Sequence, residues 1–155
     1  MVQLVDIRVC ARRCLWPRGK VLGGTSSINY MIYTRGNPKD YDEWESAGNT
    51  GWGWKSVLPY FLKSERCNIP EYNSSQAHNT RGDLPVERVP AHTPLLNVFL
   101  DAGKEMGYDI IDYNNGKTHI GFSALQANMH RGRRASGSTS FLRPIRSVSW
   151  KHWGK

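Results

Sequence analysis

Cysteine is scarce in this chain: Cys10, Cys14 and Cys67 are the three in 155 residues. They form no CxxC pair and have no histidine at zinc-ligand spacing, which excludes a metal-clip fold. An odd number cannot all pair within one chain, so free thiols are expected. Long apolar runs are also missing. None approaches the roughly 18 residues that cross a bilayer, so a membrane-spanning helix is excluded. Internal repeats and low-complexity stretches are absent. The opening MVQLVDIRVCARRCLW is a poor signal peptide, because Asp6 and Arg8 interrupt its apolar residues. Asn73-Ser74-Ser75 is a glycosylation sequon that matters in a secreted chain. These signals leave the localisation open.

Aromatic residues are plentiful, with six Trp, seven Tyr and four Phe, which excludes a solvated disordered chain. The length suits one modest domain. The net charge of +8 suggests nucleic acid until its distribution is read. Residues 1–20 hold five basic groups and one acid, and residues 130–155 hold seven basic groups and no acid. The stretch between them has nine basic groups against twelve acids. Nucleic-acid binders gather Lys and Arg on one face among stacking aromatics. Arg131, Arg133 and Arg134 are the one cluster that would serve such a reading, and no nucleic-acid partner is expected.

The sharpest local feature is GKVLGGTSSINYMIYTRG, beginning at Gly19. Paired Gly23 and Gly24 allow a tight turn or close approach to a ligand. The hydroxyls of Thr25, Ser26 and Ser27 suit a helix start, and a helix over 25–35 is expected. Asn37-Pro38 reads as an N-cap with proline at the first helical position, opening a helix over 38–45. A helix over 56–64 capped by Ser56 tolerates Pro59 only in its first turn. Residues 67–82 read as a polar surface excursion. DLPVERV reads as a short strand that Pro85 confines to a sheet edge. Thr93, Pro94 and Gly107 bracket a helix over 94–106, with Leu95, Phe99, Ala102 and Met106 on one apolar stripe. Asn114-Asn115-Gly116 is a turn, and Phe122 to Met129 alternates like a strand. Ser136 caps a helix over 136–143, and Pro144 marks its end. The fold class is therefore α+β.

Catalytic sets are harder to find. His78 lies in the polar loop, His92 before a helix, His119 in a turn, His130 beside Arg131 and His152 in the tail. None has a partner at dyad or triad spacing, so exposed or structural roles are expected. Asp40, Asp42 and Glu43 read as helix-start charges. No metal site and no catalytic residue are assigned.

The glycine-rich run resembles the first signature of the glucose–methanol–choline (GMC) oxidoreductase family. The resemblance rests on Gly19, Lys20, Leu22, Gly23-Gly24, Thr25, Ser26, Ile28, Asn29, Tyr33, Gly36 and Asp42. Flanking segments agree in order: CLWPRGK, then DYDEW and GNTGWGWKSVLPYFLKSE, then GRRASGSTSFLRPIR. The style is that of insect members related to glucose dehydrogenase. The resemblance covers residues 13–146, leaving 1–12 unmatched and 147–155 as a divergent tail. It implies a partial, incomplete Rossmann-like FAD-binding domain and the start of the substrate domain. It also implies oxidation of a small alcohol or sugar, with hydride passing to FAD. By that resemblance Val21, Gly23, Gly24, Thr25 and Ser26 line the FAD. Asn29 and the backbone of Tyr30, Met31 and Ile32 complete the contact near the flavin ring. Relatives that bind FAD covalently use a histidine where this chain has Ile28, so non-covalent FAD is expected.

The family's opening GxGxxG unit, its second signature and its C-terminal base are not found here. The chain reads as an internal slice of such an enzyme, inactive alone, with apolar surface left uncovered. A second reading is a non-enzymatic interaction module from a degenerate gene copy.

Overall fold

The computed structural model describes the backbone of residues 2–9, 12–90 and 93–149. His92 and His152, and most of the tail, lie outside the described residues, as does Cys10. The chain is a mixed α+β segment. An antiparallel hairpin, β1 (Val2–Val9) with β2 (Arg12–Gly19), leads into one 3-10 turn at Gly24–Ser27. Helices α1 (Pro38–Ser46) and α2 (Trp54–Ser64) follow. Strands β3 (Glu65–Cys67) and β4 (Leu84–Arg88) flank the excursion, and α3 (Leu95–Glu105) comes next. Short strands β5 (Gln126–Ala127), β6 (Met129–His130) and β7 (Arg133–Arg134) precede a π-helical turn, Ser138–Leu142, and α4 (Arg143–Ser149).

The helix starts behave as local chemistry dictates. Asn37 Oδ1 accepts from Lys39 N–H at 3.0 Å, with Pro38 in the first turn. Thr93 Oγ1 accepts from Leu95 N–H, and Gly107 closes α3 at φ 85°. Helix α2 begins two residues before Ser56, because Gly53 is its N-cap and Asp42 Oδ1 accepts from Trp54 N–H at 2.9 Å. That earlier start moves Pro59 out of the first turn and into the helix. Tyr41 contacts Trp44, Trp54 and Phe61 with ring centroids 5.2–5.8 Å apart, locking α1 onto α2.

Several further expectations change. Residues 25–35 are not a helix beyond the first turn: Met31 is left-handed at φ 62°, and Tyr33 N–H donates to the Gln126 carbonyl. The segment is pulled out as an extended strip against β5. Strand β4 is central, parallel to β3 and antiparallel to β5. Pro85 is tolerated because β5 pairs only with Glu87 and Arg88, beyond the proline. Pro144 opens α4 rather than ending a helix, as its ring permits in a first turn. The α3 stripe faces outward, with Leu95 and Met106 each 70% exposed, in keeping with the apolar surface expected to be uncovered, while Gly103 packs on Phe122.

Among the described residues Ala127, Met129 and Ala135 are buried, and the main apolar cluster is Tyr33, Cys67, Ile69 and Val86, with Tyr72 and Leu84 against it. Beside it lies a buried ionic network inside the supposed surface excursion. Glu65 accepts from Arg35 Nη2 at 2.7 Å, bonds His78 Nδ1 at 2.8 Å and accepts from Asn79 N–H at 3.0 Å. His78 Nε2 bonds Asp112 at 2.7 Å, and its ring stacks on Tyr72. Asn114 and Gln126 complete the set: Asn114 donates to Gln126 Oε1, and Gln126 Nε2 donates to Asp112. Burial opposes a charge on His78, but bonds to Asp112, Cys67 and Glu65 outweigh it and push its pKa up to about 11. Burial likewise opposes ionisation of Asp112, yet bonds from His78, Asn114 and Gln126 hold its pKa below the usual carboxylate range.

Replacing Glu65 by Ala strands Arg35 and His78 without their counter-charge and is expected to cost about 3–5 kcal/mol in urea unfolding. The His78 contribution is fully present below its ordinary pKa of 6.5 and is lost as pH rises toward about 11. The Asp112 contribution is lost as pH falls below its ordinary 3.8. Stability measured against pH should therefore be highest between these two limits, and His78→Gln should flatten the alkaline side.

Candidate flavin-facing turn

The glycine pair makes the corner expected of it. Gly23 is left-handed at φ 93° and Gly24 at φ 59°. A Cβ on Gly23 would lie 2.6 Å from Ser27 Oγ and 3.0 Å from Ser138 Cβ, so packing inside the protein requires that glycine. A Cβ on Gly24 would meet nothing within 4 Å. The two glycines thus have different reasons to be there: one is closed in by the fold, and the other faces open space.

Hydroxyls fix the corner from within. Gly19 N–H donates to Thr25 Oγ1 at 3.2 Å, Ser26 Oγ donates to the Gly23 carbonyl at 2.5 Å, and Ser27 Oγ donates to the Leu22 carbonyl at 3.0 Å. The residues singled out in sequence form one contiguous strip. Val21, Ile32 and Ile28 are about half exposed, and Tyr30 is 92% exposed. Ile28 carries no ring nitrogen or other nucleophile.

Beyond the corner, Asn29 Oδ1 accepts from Met31 N–H at 3.0 Å, the bond that accompanies the left-handed Met31. Asn128 N–H donates to the Met31 carbonyl at 2.7 Å, and Ile32 bridges Ala127. The strip is therefore pinned to the β5–β6 segment. Sequence reasoning missed a second support: Arg134 Nη1 donates to the Ser26 carbonyl at 3.1 Å and to Asn29 Oδ1 at 2.8 Å, and Gly137 N–H donates to Ser26 Oγ at 2.8 Å. No local pattern signals these contacts, because they join residues more than a hundred positions apart.

Two other polar groups have site-like chemistry. Glu65, Cys67 and His78 lie with their ligand atoms within 4.8 Å of one another. Their surroundings oppose a cation, since Arg35 already engages Glu65 and both ring nitrogens of His78 are already bonded to carboxylates. On the surface, His130 Nδ1 bonds Glu87 at 3.0 Å beside a left-handed Arg131 whose N–H also donates to Glu87. That pair braces the turn between β6 and β7.

The site is thus a glycine corner followed by an exposed apolar strip, carried on a partial α+β frame. The GMC oxidoreductase family profile matches residues 7–150, and the chain belongs to that family. It is 46% identical over 135 residues to glucose dehydrogenase [FAD, quinone] of Drosophila pseudoobscura pseudoobscura, covering 87% of this chain and 21% of that protein. It is 42% identical to an oxygen-dependent choline dehydrogenase of Sinorhizobium fredii over 133 residues, 86% of this chain and 24% of that one. Among solved structures it resembles pyridoxine 4-oxidase from Mesorbium loti, at 30% identity and a TM-score of 0.77, over 91% of this chain and 28% of that chain. The chain thus spans about a fifth to a quarter of the curated relatives it matches.

Gly23→Ala combines left-handed strain with a clash and is expected to lose about 2–4 kcal/mol of stability. Gly24→Ala meets no protein atom and is expected to lose only about 1–2 kcal/mol. Thermal unfolding of the pair distinguishes a closed corner from an open one.

Proposed function

We propose that this chain is the flavin-contacting part of a larger FAD-dependent oxidoreductase acting on the CH–OH group of an alcohol or sugar. The observation that carries the reading is Gly24: its left-handed backbone is open on the side a Cβ would occupy, leaving the main chain accessible to a ligand that a side chain there would hinder. The surrounding strip fits such a ligand, with exposed apolar side chains at Val21, Ile28, Tyr30 and Ile32 suited to a flat aromatic ring system. Relatives that carry FAD in their names support the same cofactor here.

In this reading Val21, Gly23, Gly24, Thr25 and Ser26 hold the cofactor, and Asn29 with the backbone of Tyr30, Met31 and Ile32 meets its ring. When bound, FAD supplies the hydride acceptor for oxidation of the alcohol. Ile28 offers no atom for a covalent link, so binding is non-covalent. The chain's own contribution is rigidity: hydroxyls and Arg134 fix the turn before any ligand arrives, reducing the ordering cost of binding. Because the chain spans a fifth to a quarter of its relatives, we infer that it is inactive alone and that substrate choice lies elsewhere in the polypeptide.

The full-length polypeptide containing this chain should retain FAD through gel filtration and show flavin absorbance. Gly24→Ala in that polypeptide should remain folded and lose FAD. A folded, colourless wild-type protein that takes up no added FAD would overturn the reading.

A further inference from the structure

We infer that Arg134 is a positioning residue for the cofactor-facing strip, acting through the amide of Asn29. The inference rests on the proposed flavin contact and adds to it a residue more than a hundred positions away. Arg134 is half-buried on β7, and its Nη1 reaches both the Ser26 carbonyl and Asn29 Oδ1, at 3.1 and 2.8 Å. The same Asn29 oxygen accepts from Met31 N–H at 3.0 Å.

Two donors converging on one oxygen determine the orientation of the Asn29 amide. Were the amide reversed, its NH2 group would face a guanidinium N–H and a backbone N–H, three donors with no acceptor. The Nδ2 group then has no hydrogen-bond partner among the described residues, and Asn29 is exposed. A fixed, exposed NH2 donor beside the open corner is a ready contact for an acceptor atom of FAD. Arg134 also spans the strip: one bond holds the end of the glycine corner at Ser26, and the other holds the start of the left-handed bend at Met31. Gly137 N–H to Ser26 Oγ reinforces the first anchor. Both bonds leave one nitrogen, Nη1, toward neutral acceptors, so a lysine ammonium can replace part of the interaction but lacks the reach and fixed planar donor directions of the guanidinium.

The test uses the full-length polypeptide, reading FAD dissociation by ultrafiltration and the visible circular dichroism of the bound flavin. Far-ultraviolet circular dichroism serves as the fold control. Arg134→Met should weaken FAD retention by about tenfold or more and alter the flavin dichroism while the fold is kept, and Arg134→Lys should recover part of both. Asn29→Asp gives an independent arm. It keeps an oxygen for Arg134 and Met31 N–H but replaces the exposed donor by an acceptor, so the fold should persist while FAD affinity falls. If Arg134→Met does not fold, Asn29→Asp decides. Wild-type retention and dichroism in Asn29→Asp, or Met and Lys variants that behave alike, would overturn the inference. A wild-type polypeptide without FAD would instead overturn the proposed function on which it rests.

Discussion

The buried carboxylate of Glu65 is the point on which the described structure hangs. It joins the strip at Arg35, the excursion at His78 and Asn79, and, through His78, the turn at Asp112. Four charged groups meet there with balanced sign, two cationic and two anionic. Isolated, each would be costly to remove from water. Together, with every carboxylate oxygen of Glu65 engaged, they become a rigid joint. Among the described residues the buried apolar side chains are few, and packing alone does not fix three irregular segments. The polar joint supplies the direction that hydrophobic burial lacks, because each bond has a required partner and angle.

From that joint, order passes to the exposed strip after the glycine corner by main-chain contacts. Asn114 takes its place in the network and donates to the Tyr33 carbonyl, while its Oδ1 accepts from Arg35 N–H. Tyr33 N–H in turn donates to the Gln126 carbonyl, and the following residues of that segment hold Met31 and Ile32. A local element carrying glycines and exposed apolar side chains has little reason to hold one shape by itself. Here it is fastened at Tyr33 to a buried scaffold and at Ser26 and Asn29 to Arg134. The apolar surfaces on α3 and along the strip remain uncovered in this chain. Exposed patches of that kind accord with a segment that spans a fifth to a quarter of its relatives.

What could be seen in the sequence was whatever local chemistry decides. Asn37-Pro38, the Thr93 and Gly107 boundaries and the Gly23-Gly24 corner follow from capping and left-handed backbone needs within a few residues. What could not be seen depends on distant partners. The apolar run after Ser27 has a helical look, but hydrogen bonds to residues 126–128 determine its extended path. His78 sits in a polar stretch that reads as surface, and only the arrival of Glu65 and Asp112 makes it a buried ion. Pro85 argued for an edge, and the strand is central because its second neighbour pairs only beyond the proline. The candidate strip was singled out through family resemblance; its contact with Arg134 was not legible, since neither composition nor spacing ties Arg134 to Asn29.

The left-handed Met31 shows why the two supports belong to one design. A non-glycine residue at positive φ is unfavourable by itself and persists only where its surroundings over-determine it. Met31 is held on three sides, through its own N–H by Asn29, through its carbonyl by Asn128, and through Asn29 by Arg134. A glycine would reach the same φ without such bracing, but it would also leave it readily. A braced methionine does not, so the N–H and carbonyl groups around it keep fixed directions. For a strip proposed to meet a planar cofactor, fixed direction matters more than low strain, since hydride transfer depends on where the ring is held. The strain at Met31 and the buried charge at Glu65 are then parts of one arrangement, in which locally unfavourable features are retained because together they leave the chain a single conformation.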